Sequence, residues 1–307
     1  MYIAGKSGLV GSALEIESIS RGFEVLGKTS SQLDLSNREA VFQEMHELRP
    51  DCLIIAAAKV GGIKANSLFP VEFLSINLQI QTNLMDAAHS AKVKKLLFLG
   101  SSCIYPKFAP QPILESSLLT GALEPSNEAY AIAKIAGLKL IQSYRKQFTY
   151  KWISAMPTNL YGPHDNFDLE TSHVIPSLIR RFHDAKTNNS KSLSLWGDGT
   201  PMREFLHVTD LAKACMMLIE KYDSDVPINV GSGYEISIRE LAKLVAEVVG
   251  FNGEVVFETD RLNGTPRKFL NSKLIFDLDW SPSVDLKSGL ESTYDWFLEN
   301  VERGLKT

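Results

Sequence analysis

Tyr130 and Lys134 stand four residues apart, with Ser101 upstream of them, and these are side-chain types suited to carbonyl chemistry. On a helix, positions i and i+4 share a face. An ammonium beside a phenol favours the phenolate and lowers a pKa of about 10 toward the working range of a general acid or base. Ser101, placed at the carboxyl end of a strand, can add a hydrogen-bond donor to a carbonyl oxygen. Cys103 adds a thiol to the same turn, Gly100-Ser101-Ser102-Cys103-Ile104-Tyr105-Pro106. A Tyr-x-x-x-Lys spacing also occurs in helices where the Tyr packs and the Lys faces water, so the upstream elements must decide.

Those elements alternate. Tyr2-Ile3-Ala4 reads as a strand that runs into Gly5-Lys6-Ser7-Gly8-Leu9-Val10-Gly11 and then a helix through about Arg21. Such glycines permit a tight turn and close backbone approach, with an anion such as pyrophosphate at the helix N-terminus. A second strand is expected at Glu24–Gly27, ending at Lys28-Thr29-Ser30-Ser31. An acid there would favour NAD, through the adenosine ribose hydroxyl, and a cation would accommodate the 2′-phosphate of NADP. The stretch carries Lys28 and no acid, which predicts NADP, while a solvated loop lysine is the bland alternative.

A helix over Asn37–Leu48 and a near-continuous apolar strand over Cys52–Ala58 follow, the latter suited to a parallel strand covered on both faces. Next come a long helix over Pro70–Ser90, a strand at Leu96–Leu99, the helix of Tyr130 and a strand at Trp152–Met156. This alternation predicts an α/β fold, a doubly wound parallel sheet of Rossmann type with ligand at the carboxyl ends of its strands. After Pro157-Thr158-Asn159-Leu160-Tyr161-Gly162-Pro163 the texture changes, and a smaller C-terminal α/β substrate lobe is expected. The division reads as 1–162 for the dinucleotide-binding domain and 163–307 for mainly the substrate lobe, with segments near 205–232 rejoining the first sheet.

The 307 residues are 44% hydrophobic and 22% charged, with a net charge of -4. That composition suits a globular chain and predicts no basic surface for nucleic acid or an anionic membrane. Cys52, Cys103 and Cys215 are odd in number and lack metal-type spacing, which predicts a reducing compartment and no metal site. No apolar run has signal or membrane length, so the expected location is cytoplasmic.

The glycine loop with Ser101, Tyr130 and Lys134 resembles the extended short-chain dehydrogenase/reductase family. More narrowly, Ala56–Gly62, Gly100–Pro106, Tyr130–Gly137, Met156–Asn166 and Gly199–Val208 resemble the GDP-sugar epimerase/reductases that convert GDP-4-keto-6-deoxy-D-mannose to GDP-L-fucose. That resemblance spans nearly the whole chain. It implies inversion at C3 and C5 followed by NADPH-dependent reduction at C4. The resemblance assigns proton exchange to Cys103 and His173; Cys103 is favoured as base and His173 as acid, although sequence does not distinguish the two. Tyr130 would protonate the C4 oxygen, Lys134 would lower its pKa and hold the nicotinamide ribose, and Ser101 would steady the oxygen.

The resemblance further implies cofactor contacts at Gly5 to Gly11, Lys28, Asp34, Ala57, Leu99, Gly100, Ser101, Ser102, Tyr130, Lys134, Pro157, Thr158, Asn159, Leu160 and His173. Arg181, Trp196, Arg203, Asn263 and Lys268 are implied as contacts to the GDP-sugar substrate. Ser7 and Ser30 stand where the family commonly has arginines on the 2′-phosphate, so use of NADH stays open. Asn263 replaces the usual aspartate. A homodimer packing the helices near Leu74–Ala88 and Tyr130–Tyr144 is implied as well. Two alternatives remain from the sequence: an enzyme of a related GDP-4-keto-deoxy sugar, such as a 3,6-dideoxy compound needing C5 inversion alone, and a non-catalytic NADP-binding protein.

Overall fold

In the computed structural model, residues 1–259 and 265–302 are described. The strand β1 (Tyr2–Ala4) leads into α1 (Leu9–Ser20), and α2 (Arg38–Leu48) leads into β2 (Cys52–Ile55). The short α3 (Ile63–Leu68) and long α4 (Pro70–Ser90) precede β3 (Lys95–Leu99), and α5 (Glu128–Phe148) precedes β4 (Ile153–Pro157) and β5 (Asn159–Tyr161). Then follow α6 (Val174–Thr187), β6 (Ser192–Trp196), β7 (Met202–His207), α7 (Val208–Lys221), β8 (Ile228–Val230), β9 (Glu235–Ser237) and α8 (Ile238–Val249). The chain closes with β10 (Glu254–Glu258), β11 (Arg267–Lys268), α9 (Lys273–Phe276) and α10 (Leu286–Phe297).

Alternation along the strands sets the layers, because successive side chains leave a sheet on opposite faces. Tyr2, Ala4, Leu53, Ile55, Leu96 and Phe98 pack on one side with Val41, Met45, Leu84 and Leu138 from α2, α4 and α5. Ile3, Ile54, Leu97 and Leu99 pack on the other with Leu14 of α1 and Leu211 and Met216 of α7. The sheet between them has the order β1-β2-β3-β4-β8, and every pair in it is parallel. Both faces are covered, which is why its strands are apolar throughout.

The expected strand over Glu24–Gly27 shrinks to a single bridge between Leu26 and Tyr2. Gly27 follows at φ 153°, ending the extended run after one paired residue. The strand expected over Cys52–Ala58 stops at Ile55, because its neighbour β1 ends at Ala4, whose carbonyl takes the last bond from the Ala56 amide. Even so, Leu26 lies on one side of β1 and β2 on the other. The chain therefore departs from β1 in opposite directions, which opens a crevice at its carboxyl end.

The C-terminal elements form a smaller mixed sheet in which β7 pairs in parallel with β5 and β11 and antiparallel with β9, together with a parallel pair of β6 and β10. A third apolar cluster joins them to α6, α8 and α10 through Ile179, Phe182, Leu241, Leu290 and Phe297. Within the stretch expected to rejoin the first sheet, Ile228–Val230 enters it beside β4, whereas Phe205 to His207 pair with β5. Thr158 and Asn159 couple the two sheets, since both side chains donate to the Glu204 carbonyl, at 3.2 and 2.8 Å. Among the described residues no helix is long and apolar enough to cross a membrane.

Candidate functional site

The turn from β1 to α1 is built for close approach. Gly5 has φ 88°, and a Cβ there would stand 2.8 Å from the Ala57 amide nitrogen. A Cβ on Gly11 would overlap the Gly5 carbonyl oxygen. Gly8 is the N-cap of α1 and offers no side-chain cap, and no acid occupies the first turn, so its amides face outward toward a site suited to an anion. This cradle fits the diphosphate of a dinucleotide. Ala57, Leu99, Gly100, Ser102, Pro157, Thr158, Asn159 and Leu160 lie at or just beyond the carboxyl ends of β2, β3 and β4, along the same edge.

The adenosine end differs from the sequence expectation. Lys28 is not a free cation: its Nζ sits 2.5 Å from Glu44 Oε2, and the Glu44 side chain is 5% exposed. An acid does reach the end of the second extended segment, and it comes from α2. Ser7, Ser30 and Ser31 are exposed. Asp34 turns back on its own chain, accepting from the Ser36 amide at 2.9 Å and hydroxyl at 2.7 Å, which holds its carboxyl below the usual range.

At the reaction end, the strand β3 runs into a turn in which Ser101 Oγ accepts from the Cys103 amide at 3.2 Å. Two donors converge on Cys103 Sγ, each at 3.3 Å: Asn127 Nδ2 and Lys268 Nζ. Burial pushes this thiol up, but the Lys268 charge and hydrogen bonds from Ser101, Lys268 and Asn127 outweigh it, and the thiol ends below its ordinary value. Cys52 and Cys215, buried without such partners, are both pushed up to about 12. The same residue type thus has one environment that favours the thiolate and two that disfavour it.

Tyr130 is where the sequence reading needs correction. The Lys134 ammonium was expected to lower it; instead burial, with the negative charge on Cys103 adding to it, raises the phenol, and the Ser101 hydrogen bond offsets this in part. Lys134 Nζ lies 5.8 Å from the Tyr130 ring centroid and donates to the Leu99 carbonyl at 2.9 Å. Burial holds Lys134 down at about 8. A phenol held protonated suits a proton donor, and a buried ammonium gives the end of β3 local positive charge.

His173 is the N-cap of α6 and stands exposed, with no side-chain cap bond. Desolvation, first, and the Lys268 charge push its imidazole below the ordinary value. Its approach is fixed from β2: the Gly62 amide donates to the Thr171 carbonyl at 2.9 Å. Arg181 of α6 faces the Trp196 ring at 5.9 Å, so these two expected substrate contacts meet. Arg203 and Lys268 are register partners on β7 and β11. Burial lowers the Arg203 guanidinium, with Glu124 and Cys103 opposing. Asn263 lies outside the described residues.

Sequence reading missed Asn127, Asn77 and the second role of Lys268. Asn127 precedes α5 and reads as an ordinary helix cap. Asn77 Oδ1 accepts from the Lys59 amide at 2.8 Å, and Nδ2 donates to the Lys59 carbonyl at 3.0 Å and the Phe73 carbonyl at 2.7 Å, pinning the loop after β2. An asparagine on the inward stripe of a helix is the signal that could have found it. Among the described residues no group of His, Cys, Asp and Glu side chains could hold a metal ion.

A parallel sheet covered on both faces and a glycine cradle at its carboxyl edge define a dinucleotide-binding class of α/β protein. The chain belongs to the NAD dependent epimerase/dehydratase family, whose pattern matches residues 1–231. It is 54% identical over 302 residues to GDP-L-fucose synthase 1 of Arabidopsis thaliana, covering 98% of this chain and 94% of that one. It is 50% identical over 313 residues to the GDP-L-fucose synthase of Escherichia coli (strain K12), covering 99% and 98%. The crystal structure of a GDP-L-fucose synthetase from Naegleria fowleri bound to NADP superposes with a TM-score of 0.91 at 29% identity, covering 99% and 95%.

Proposed function

We propose that the chain carries out the GDP-L-fucose synthase reaction, converting GDP-4-keto-6-deoxy-D-mannose to GDP-L-fucose with NADPH. The observation that carries this reading is a thiol held low at Cys103 beside Ser101 and Tyr130, in a chain about half identical over nearly its full length to enzymes of that name. One ketone makes both halves of the reaction possible, because it acidifies the protons at C3 and C5.

Cys103, as thiolate, takes a proton from the sugar carbon and leaves an enolate. His173, protonated from solvent through its exposed position, gives that proton to the opposite face of the enolate carbon and is left neutral. Tyr130, held in its protonated form by burial, then gives its proton to the C4 oxygen, with Ser101 donating to that oxygen. The reduced nicotinamide dinucleotide, when bound, supplies hydride to C4. Lys134 would hold the ribose of that group. Arg181 and Trp196 grip the nucleotide of the substrate, and Arg203 meets its diphosphate, since guanidinium binds phosphate in two-pronged fashion.

NADPH is the preferred cofactor in this reading, with NADH accepted to a measurable degree because Lys28 is already paired. Residues 1–162 make the cofactor-binding unit and 163–307 mainly the substrate lobe. The chain acts in the cytoplasm as a homodimer; the exposed Leu68, Phe69, Val71 and Ile132 beside and on the long helices support a packed partner there. Light scattering on the purified protein tests the dimer.

The deciding experiment is NADPH oxidation with GDP-4-keto-6-deoxy-D-mannose, with the product sugar identified and the substrate equilibrated in deuterated water. Deuterium at C3 and C5 that disappears in Cys103→Ser, with cofactor binding retained, is the expected result. Undiminished exchange in that variant overturns the role of Cys103. Deuterium at C5 alone, with faster turnover of a 3,6-dideoxy substrate, would reassign the substrate.

A further inference from the structure

The amide of Asn127 is oriented against two ordinary preferences. It occupies the N-cap of α5, where an asparagine oxygen usually accepts from amides in the first helical turn, yet it makes no cap bond. Its Nδ2 is spent on Cys103 Sγ, and its Oδ1 is buried with no hydrogen-bond partner among the described residues. A buried acceptor left empty is costly, so something must hold the amide this way round. A hydrogen bond to an ionised acceptor is stronger than one to a neutral group, and an ionised sulphur meets that need.

We propose that Asn127 is a positioning residue for proton exchange at Cys103, its amide donating to the sulphur when ionised and turning over to accept from it when it carries the proton. This rests on the reading of Cys103 as the base. When the thiolate takes a sugar proton, a sulphur electron pair forms the S–H bond and the C–H pair passes into the enolate. Nδ2 then faces a neutral sulphur, and a half-turn of the amide lets Oδ1 accept the S–H. When the thiol releases its proton, the amide returns.

The other groups facing this sulphur cannot take over that role. Lys268 of β11 is a donor with no acceptor and does not respond by turning. Ser101 is engaged by the Cys103 amide, and Tyr130 is held neutral by burial. Arg203 of β7 is a permanent donor whose charge is favoured by both Glu124 and Cys103 against burial, and His173 at the start of α6 feels the sulphur's neighbour Lys268. Asn127 is the neutral group on this sulphur whose donor and acceptor are separate atoms exchanged by a half-turn, whereas the Ser101 hydroxyl already accepts from the Cys103 amide.

The test is the pH dependence of iodoacetamide labelling at Cys103, read by mass spectrometry, in the full chain and in Asn127→Ala and Asn127→Asp. Cys52 and Cys215, both at about 12, do not compete. The alanine variant is expected to raise the labelling midpoint by about one pH unit, roughly tenfold slower labelling below both midpoints. The aspartate variant should raise it further, because a second negative charge faces the thiolate. NADPH binding by fluorescence titration should stay unchanged in both. Unmoved midpoints in both variants overturn the proposal. A loss of cofactor binding without a midpoint shift also overturns it, as that marks a merely structural residue. Shifted midpoints in variants of a protein that exchanges no sugar protons would support the Asn127 proposal while removing the epimerase reading.

Discussion

The two ends of the cofactor crevice use the same side chain to opposite effect. At the adenosine end, Lys28 is held by Glu44, and its charge is answered before any ligand arrives. At the reaction end, Lys268 faces a thiol and Lys134 a backbone carbonyl, so their charges act on the chemistry. A buried carboxylate makes the difference. Where one is present the lysine is structural, and where none is present Lys268 lowers the thiol it faces, whereas Lys134 is itself lowered by burial. The contrast is one of charge: the first end presents backbone amides and neutral hydroxyls, the other presents lysines.

Substitutions can break or sharpen that contrast. The largest effect is expected from Tyr130→Phe, which should cut NADPH-dependent reduction by about 10²–10⁴-fold while proton exchange at C3 and C5 continues; loss of both together would show that the phenol serves more than the C4 oxygen. Lys268→Met should move the Cys103 labelling midpoint upward and slow exchange on the order of tenfold at neutral pH. With the thiol held below its ordinary value, exchange in the unmodified chain should fall as the medium is acidified through a midpoint lower than that of an ordinary thiol.

Lys134 makes a prediction about stability. Its folded value of about 8 lies below the ordinary 10.5, so the unfolded chain binds more protons between these values. The burial cost is fully present below about pH 8 and fades as pH rises to 10.5, so stability against urea should climb across that window. Lys134→Met should remove the climb and stabilise the fold at pH 7 by on the order of 1–2 kcal/mol, the lost bond to Leu99 offsetting part of the gain. The smallest effect is at the other end. Glu44→Gln should release Lys28 and raise the NADPH-to-NADH preference a few-fold, read as a ratio of kcat/KM values; an unchanged ratio would mean that Lys28 lies too far from the ribose to matter.

Much of the fold was legible because it is local. Strand alternation, glycines at three-residue intervals and the i,i+4 spacing of Tyr130 and Lys134 are properties of short segments, and β1, α2, α4 and β3 fall close to where the pattern puts them. The second strand was overestimated because residue types alone do not show that Gly27 ends the pairing after one residue. Asn127 was passed over for a related reason. Its type and place satisfy the rule for a helix cap, and only the thiol beside it explains why it does not cap.

By itself the sequence determined the doubly wound sheet, the crevice at its edge and the candidate set of Ser101, Tyr130 and Lys134, while Cys103 and His173 were implied by the resemblance to a family. Tertiary structure decided how those groups are charged. Lys268 reaches Cys103 across 165 positions of chain, and Glu44 reaches Lys28 from a different element. Spacing along a chain fixes which face a side chain shares, whereas acidity depends on burial and on charges a few ångströms away, and those neighbours are supplied by folding.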